Sequence, residues 1–405
     1  MDEVIPNTST LSFEQIFKQE NGIFGIKNSG CSCYLNSIIQ CLSKTVPFSK
    51  IFINDDMDDT KSWIRNINET EDKKFVKEFN TLIKVLWNIE RENEDEDDSS
   101  LKFINTKDNK VYNSINIRGL ELIIKQKYPY LFEPPFQQDS SEVLIYLLES
   151  IHNGMSREVE MSIASITPKN KLEKLTIESH KSFINFFQKD YSPIIDLFYG
   201  SNISTIRVND SNIESNTYDM CSMFPLIIPD LEPKENENFP RCSFDDCFKE
   251  TQIAENLDGE NQWYHEGTDK KYDATKQIKI FKPPKILVLH IKRYGFLKKK
   301  DENGKEIMDY NFPIKNNTLI NFPFDLNITP YIYHKDCVLD KRDCLYELYA
   351  TSNHKGNPQN GHFFANCKIE DKWYTYDDED VQEIDDQQII INNRALVLFY
   401  KRKDL

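Results

Sequence analysis

A cysteine, a histidine and a carboxylate in this chain could do nucleophilic chemistry if the fold brought them together. Cys33 lies where a turn, KNSGCS, gives way to an apolar-periodic stretch beginning at Tyr34. A thiol at the start of a helix meets the positive end of the macrodipole and unpaired N–H groups, and both favour thiolate. Cys31 and Cys41 lie close by, and burial as a small apolar residue is the commonest fate of cysteine. Position alone therefore leaves the choice among the three open. Of the seven histidines, His290 sits inside the apolar run ILVLHIKRY and reads as a hydrogen-bonded core residue, while His354 falls in a polar loop, HKGNPQN. His362 follows that loop, begins a predicted strand and precedes WYTYDD by a hairpin's distance. Asp377 on the next strand could then hold the imidazole in its productive tautomer. Wide separation of such residues in sequence is normal for thiol proteases. Glycine is scarce, 12 in 405 residues, yet Gly22, Gly25 and Gly30 crowd ahead of Cys33 and Gly361 directly precedes His362. Candidate nucleophile and candidate base are both preceded by pliable backbone.

The elements that must position these residues are visible as periodicity. Leu35, Ile38, Ile39 and Leu42 stand at i, i+3, i+4, i+7, as do Leu144, Leu147, Leu148 and Ile151, which predicts helices over 34–42 and 141–151. From Ile286 onward the β-type runs ILVLHIKRY, CLYELYATS, HFFANCKI, KWYTYDD and ALVLFYK dominate. A helical first part followed by a strand-rich second part reads as α+β. The middle, about 195–282, is polar and mixed, with short β-like runs such as PLIIPD. Residues 90–98, ERENEDEDD, form a self-repelling block that reads as a solvated loop, with docking of a basic partner as the alternative.

Composition narrows the class. The 66 acidic against 50 basic residues leave a formal charge of −16, which disfavours nucleic-acid binding and would suit a basic partner. No stretch approaches the ~18 apolar residues of a spanning helix, and the N-terminus shows no secretory signal. A cytoplasmic or nuclear location with nine reduced cysteines is the expectation.

The motifs together resemble one family. GIKNSGCSCYLNSIIQCL at 25–42 is similar to the cysteine box of the ubiquitin-specific proteases, QQDSSEVLIYLLESI at 137–151 to their glutamine–aspartate helix, and ILVLHIKRY at 286–294 to the strand before their histidine region. The run from Tyr346 to Val381 resembles the histidine box, and ALVLFYKR closes the domain. The resemblance covers residues 22–403 in family order. It implies a papain-like cysteine protease fold of thumb, palm and fingers, with an extension over 1–21, thumb over about 22–190 with an acidic loop at 88–100, fingers mainly over 191–282 and palm mainly over 283–403. It also implies Cys33 as nucleophile, His362 as general base, Asp377 as third member with Asp378 its neighbour, and Asn28 as donor to the oxyanion. Gln137, Gln138, Asp139 and Glu142 would face an arginine-bearing ubiquitin tail, although Asp139 could equally be a helix N-cap. The implied partner is ubiquitin or a ubiquitinated protein, with no nucleic acid or membrane.

The chain departs from the family pattern in the fingers. The positions of two zinc-binding CxxC pairs fall on Val208 and Ser211 and on His265 and Thr268, so no zinc and no other cofactor is expected, since a closed tetrahedral site needs four ligands. Cys221, Cys242 and Cys247 lack that spacing. Asn360 stands where a glycine often precedes the Gly-His pair, and asparagine tolerates left-handed backbone. Three rival readings remain: an inactive ubiquitin-binding scaffold, a protease for a ubiquitin-like modifier, and an unrelated papain-type hydrolase.

Overall fold

The computed structural model of the protein describes residues 22–53, 63, 70–87, 115–129, 139–163, 167–235, 237–300, 306–337 and 341–405. The expected extension 1–21, the acidic loop 88–100, and Gln137 and Gln138 lie outside the described residues.

Helices come first in the chain: α1 (Cys33–Ser43), α2 (Val46–Ile53), α3 (Glu71–Leu86), α4 (Arg118–Lys127), α5 (Ser140–Met155), α6 (Lys171–Phe187) and α7 (Pro193–Phe198), with α8 (Phe244–Thr251) following later. Their starts are set by local chemistry. Thr70, Asp139 and Asn170 each accept a backbone N–H of the turn that follows, and Ser243 with Asp246 forms a full capping box. Helix α1 differs: its N-cap, Ser32, makes no side-chain cap bond, and all eleven of its residues are buried. An uncapped helix of this kind is held by what surrounds it rather than by its own ends.

The strands then run β1 (Gly200–Val208), β2 (Glu214–Cys221), β3 (Phe224–Ile227), β4 (Arg241–Ser243), β5 (Glu255–Leu257), β6 (Trp263–His265), β7 (Lys270–Tyr272) and β8 (Ala274–Lys282). They continue with β9 (Ile286–Lys292), β10 (Tyr294–Lys300), β11 (Glu306–Lys315), β12 (Leu319–Asn321), β13 (Asp325–Asn327), β14 (Leu345–Gly356), β15 (Gly361–Ile369), β16 (Lys372–Asp377), β17 (Asp380–Ile384) and β18 (Ala395–Arg402). A sheet of order β2-β1-β8-β5 forms the fingers. The palm is an eight-stranded sheet, β17-β16-β15-β14-β18-β9-β3 with β13 also on β14, antiparallel except where β3 joins β9. The PLIIPD run therefore supplies a palm strand from within the middle tract.

Both faces of the palm sheet are covered, which explains why its central strands are apolar at every position rather than alternating. Ile286, Val288, Val397 and Phe399 join Leu35, Ile38, Phe79 and Leu147 in a core between sheet and helices. The intervening Leu287, Leu289, Leu398 and Tyr400 pack on the other side against Phe244, Phe248, Ile320 and Phe322. His354 lies in β14 and is 1% exposed, so the polar-loop reading fails there: the strand continues past its apolar part to Gly356. His290 is buried in β9 as expected, but its Nδ1 has no hydrogen-bond partner.

Arg293 ties the start of β18 to the segment between β11 and β12. It is 1% exposed, and its Nε donates to the Ala395 carbonyl (2.6 Å) while Nη1 donates to the carbonyls of Asn316 (2.9 Å) and Thr318 (2.8 Å). Burial pulls its pKa down to about 10, with the Cys242 and Cys247 thiols among the groups opposing that shift. Arg293→Met leaves those buried carbonyls unsatisfied. We expect urea denaturation to show a loss of about 2–4 kcal/mol, the range for breaking a buried network. Arg293→Lys should recover little of it, because an ammonium cannot span the fork.

Candidate active site

Cys33 opens α1 and is 2% exposed. The turn before it is built from left-handed backbone, with Gly30 at φ 97° and Cys31 at φ 59°. Asn28 organises that turn: its Oδ1 accepts the amides of Gly30 (2.9 Å) and Ser32 (3.3 Å). The sulfur of Cys33 accepts from the backbone N–H groups of Phe363 and Tyr34, and both bonds favour thiolate. Burial outweighs them, and the Asp378 charge adds to it, so the thiol pKa is raised rather than lowered. The helix-terminus argument correctly names the donors but omits the cost of removing the sulfur from water.

The Phe363 amide belongs to β15, so the contact brings the residue after His362 onto Cys33. His362 itself is hydrogen-bonded through Nε2 to the Asp377 carboxylate on β16, which leaves Nδ1 as the ring nitrogen able to take a proton. Gly361 is required by its neighbours, since a Cβ there would lie 2.0 Å from His354 Nε2 and 2.6 Å from the Lys355 carbonyl oxygen. The left-handed residue of this turn is Gly356 (φ 118°), whereas Asn360 is not among the positive-φ residues.

Asp378 is the part of the site that sequence reasoning underrated. It adopts φ 52° and is held from two sides, its Oδ1 accepting from Asn36 Nδ2 (2.8 Å) and its Oδ2 from Asn28 Nδ2 (2.8 Å). It stands 3.9 Å from His362 Nε2. Burial raises its pKa, against the effect of the two amide donors and of His362. Asn36 was missed altogether, although a carboxamide among apolar helix residues is a readable signal that something buried needs a donor. Ser37, also in α1, completes a chain of hydroxyls through Ser352 (3.0 Å) to Ser140 at the start of α5 (3.2 Å). Gly25 lets the leading segment close on this hairpin: a Cβ there would sit 2.3 Å from the Glu379 carbonyl oxygen, and Ile26 N–H donates to the Asp378 carbonyl (2.9 Å).

Asp139 caps α5, accepting from Ser141 N–H (2.9 Å), and lies 3.9 Å from His290 Nε2. Glu142, one turn on, is exposed, and partial desolvation with the neighbouring Asp139 charge raises its pKa. Ligand atoms of His362, Asp377 and Asp378 fall within 4.8 Å of one another, but each is already committed to the hydrogen bonds above. In the fingers, Val208 is buried at the end of β1, and His265 Nδ1 is bonded to Thr268 Oγ1 (2.9 Å). Cys242 and Cys247 form a buried pair, Sγ to Sγ 3.5 Å, under the palm.

The sequence model of the family described as ubiquitin carboxyl-terminal hydrolase matches residues 24–400, and the chain belongs to that family. It is similar to ubiquitin carboxyl-terminal hydrolase 4 of Saccharomyces cerevisiae, 28% identical over 403 aligned residues that cover 93% of this chain and 39% of the yeast protein. Ubiquitin carboxyl-terminal hydrolase 21 of Rattus norvegicus is 26% identical, covering 94% of this chain and 62% of the rat protein. The chain thus spans less than two thirds of the length of these relatives. Among solved structures, a chain of the SAGA DUB module bound to monoubiquitin superposes with a TM-score of 0.62 at 21% identity, covering 94% of this chain and 69% of that one. Another, bound to ubiquitin aldehyde, gives 0.61 at 22% identity, covering 97% and 72%. These likenesses give the thumb, palm and fingers fold.

Two buried histidines make stability depend on pH. Burial pulls the pKa of His354 down to about 4, with the charges of Lys315 and His362 acting in the same direction. His290 is also at about 4, where desolvation and Lys292 outweigh Asp139. A folded-state pKa below the unfolded value of ~6.5 means that their contribution is complete above that pH and disappears as pH falls toward 4. Each accounts for at most about 3–4 kcal/mol, at ~1.36 kcal/mol per pKa unit. Urea midpoints should fall between pH 6.5 and 5, and His354→Asn should flatten that slope; an unchanged slope would show that His354 titrates alike in both states.

Proposed function

We propose that this chain is a cysteine-type deubiquitinase, hydrolysing the isopeptide or peptide bond after the C-terminal glycine of ubiquitin. The observation that carries the reading is the His362–Asp377 pair on adjacent palm strands, with the amide of the next residue donating to the Cys33 sulfur, in a chain of this family. Cys33 is a raised-pKa thiol, so attack requires His362 Nδ1 to take its proton as the carbonyl carbon is approached. Asp377 orients the imidazole and stabilises its cationic form. The tetrahedral oxyanion would be met by N–H groups at the start of α1 and by the Asn28 amide, whose position is fixed through Asp378. Collapse expels the lysine amine, protonated by His362, and leaves a thioester on Cys33 that a His362-activated water then hydrolyses.

The tail is proposed to run past the start of α5, where Asp139 and Glu142 supply carboxylates for arginine. The secondary proposal for Asp378 is that it holds the oxyanion donor and the imidazole in one frame. A cytoplasmic or nuclear setting is proposed as well; among the described residues no helix is long and apolar enough to cross a membrane.

Ubiquitin carrying a C-terminal electrophile should label the wild-type chain once, at Cys33. Cys33→Ala should abolish both labelling and cleavage of a ubiquitin C-terminal amide, whereas Cys31→Ala and Cys41→Ala should keep most activity. Equal loss in Cys31→Ala with the fold intact would move the nucleophile. Asp139→Asn separates cap from charge, because asparagine caps about as well as aspartate. We expect unchanged melting and a fall in kcat/KM that is greatest at low ionic strength; identical kinetics at low salt would confine Asp139 to capping.

A further inference from the structure

The alternation of β15 and β16 separates two sides of the proposed site. Phe363, Ala365, Cys367, Tyr374 and Tyr376 point into the core that contains α1. The residues between them lie on the opposite face, where His362, Asp377, Phe364, Lys355, Arg394 and Ile389 line an open cleft of about 810 Å³. The candidate nucleophile and the Asp139 end of α5 thus belong to the helix side, while the imidazole–carboxylate pair also borders a cleft beyond it. A substrate has two parts, and the acyl part goes to the sulfur. The leaving amine must receive its proton from His362, so the chain bearing that amine departs on the cleft side.

The charge of this cleft is opposite to that of the protein. Against a formal −16, its lining holds Lys355 and Arg394, both exposed and, among the described residues, in no ion pair. Asp377 is the one acid among the lining residues, and it is bonded to His362. A third cation lies behind them: Lys315 Nζ donates to the His354 carbonyl (2.6 Å), and burial, with the charges of Arg293 and Arg394, lowers its pKa to about 8. Uncompensated cations of this kind attract acidic groups and repel basic ones. Phe364 is half-buried and Ile389 is 58% exposed, which adds an apolar shelf beside the charges.

We infer that this cleft receives the segment around the modified lysine and selects for acidic residues flanking it, with Lys355 and Arg394 as the specificity-determining side chains. The inference rests on the deubiquitinase reading and concerns only the leaving group. Its test uses ubiquitin joined through its C-terminus to the lysine of synthetic peptides whose flanks are Glu, Ser or Lys, beside a ubiquitin coumarin amide that has no peptide. Wild-type kcat/KM should follow the order Glu, Ser, Lys, with a span of roughly three- to tenfold at low ionic strength, the range two exposed ion pairs can supply. Added salt should compress the span. The double variant K355E/R394E should invert the order, read as the ratio of the Glu-peptide to the Lys-peptide rate within the variant, so that any change common to all substrates cancels. Lys355→Gln and Arg394→Gln should each narrow the preference. Equal wild-type rates on the Glu and Lys peptides would overturn the inference, whether or not the double variant folds. Failure to cleave the coumarin amide would instead overturn the deubiquitinase reading, and this inference with it.

Discussion

The arrangement of the site depends on one half-buried carboxylate. Asp378 accepts an amide from the helix that begins with Cys33 and another from the turn before it, while its backbone lies in the hairpin that carries Asp377. Those two bonds tie α1 and the turn before it to the end of β16, and α1 has no side-chain cap bond at its N-cap. A buried acid normally costs stability unless its lone pairs are met. Here the two asparagine amides meet them, and the satisfied group fixes the turn at Asn28 and the helix at Asn36 against a hairpin about 340 residues later in the chain. The left-handed backbone at residue 378 is part of the same constraint, because it turns the carboxylate back toward α1.

The electrostatics of the thiol follow from the depth of that frame. Burying α1 completely gives the nucleophile a rigid base, and it also strips water from the sulfur. The N–H donors at its side recover only part of the loss. In the proposed mechanism a thiol whose pKa is raised by burial relies on the imidazole of His362 to take its proton.

Much of this was legible before the coordinates. The helices over 34–42 and 141–151 appear as Cys33–Ser43 and Ser140–Met155, and the β-runs after Ile286 form the palm. Periodicity carried these because apolar side chains must find one core. His362 and Asp377 could be paired because a hairpin brings its own strands together at short range. What could not be read was set by partners remote in sequence. His354 looked like loop because its neighbours are polar, yet it is buried by Phe363 and Tyr294, whose rings lie 4.5 and 5.8 Å away. The PLIIPD run looked like part of the fingers, and it is the parallel pairing with β9 that draws it into the palm. The thiol pKa was misjudged for the same reason, since a macrodipole is local and desolvation is not.

The contact between Ile26 and the Asp378 carbonyl has a temporal side. A ribosome delivers the N-terminal end of a domain first, at about 5–20 residues per second. The stretch that begins the site therefore waits on roughly 350 further residues before its closing partner exists, a delay of about 18–70 s at those rates. Throughout that interval α1, every residue of which is buried in the finished fold, has no sheet to cover it. A chain of this topology makes a helix that ends up fully buried early and covers it late, the situation in which transiently exposed apolar surface invites aggregation. It also means that a half-made chain carries Cys33 before His362 and Asp377 exist, so the proposed site cannot assemble until translation has passed the hairpin that bears them.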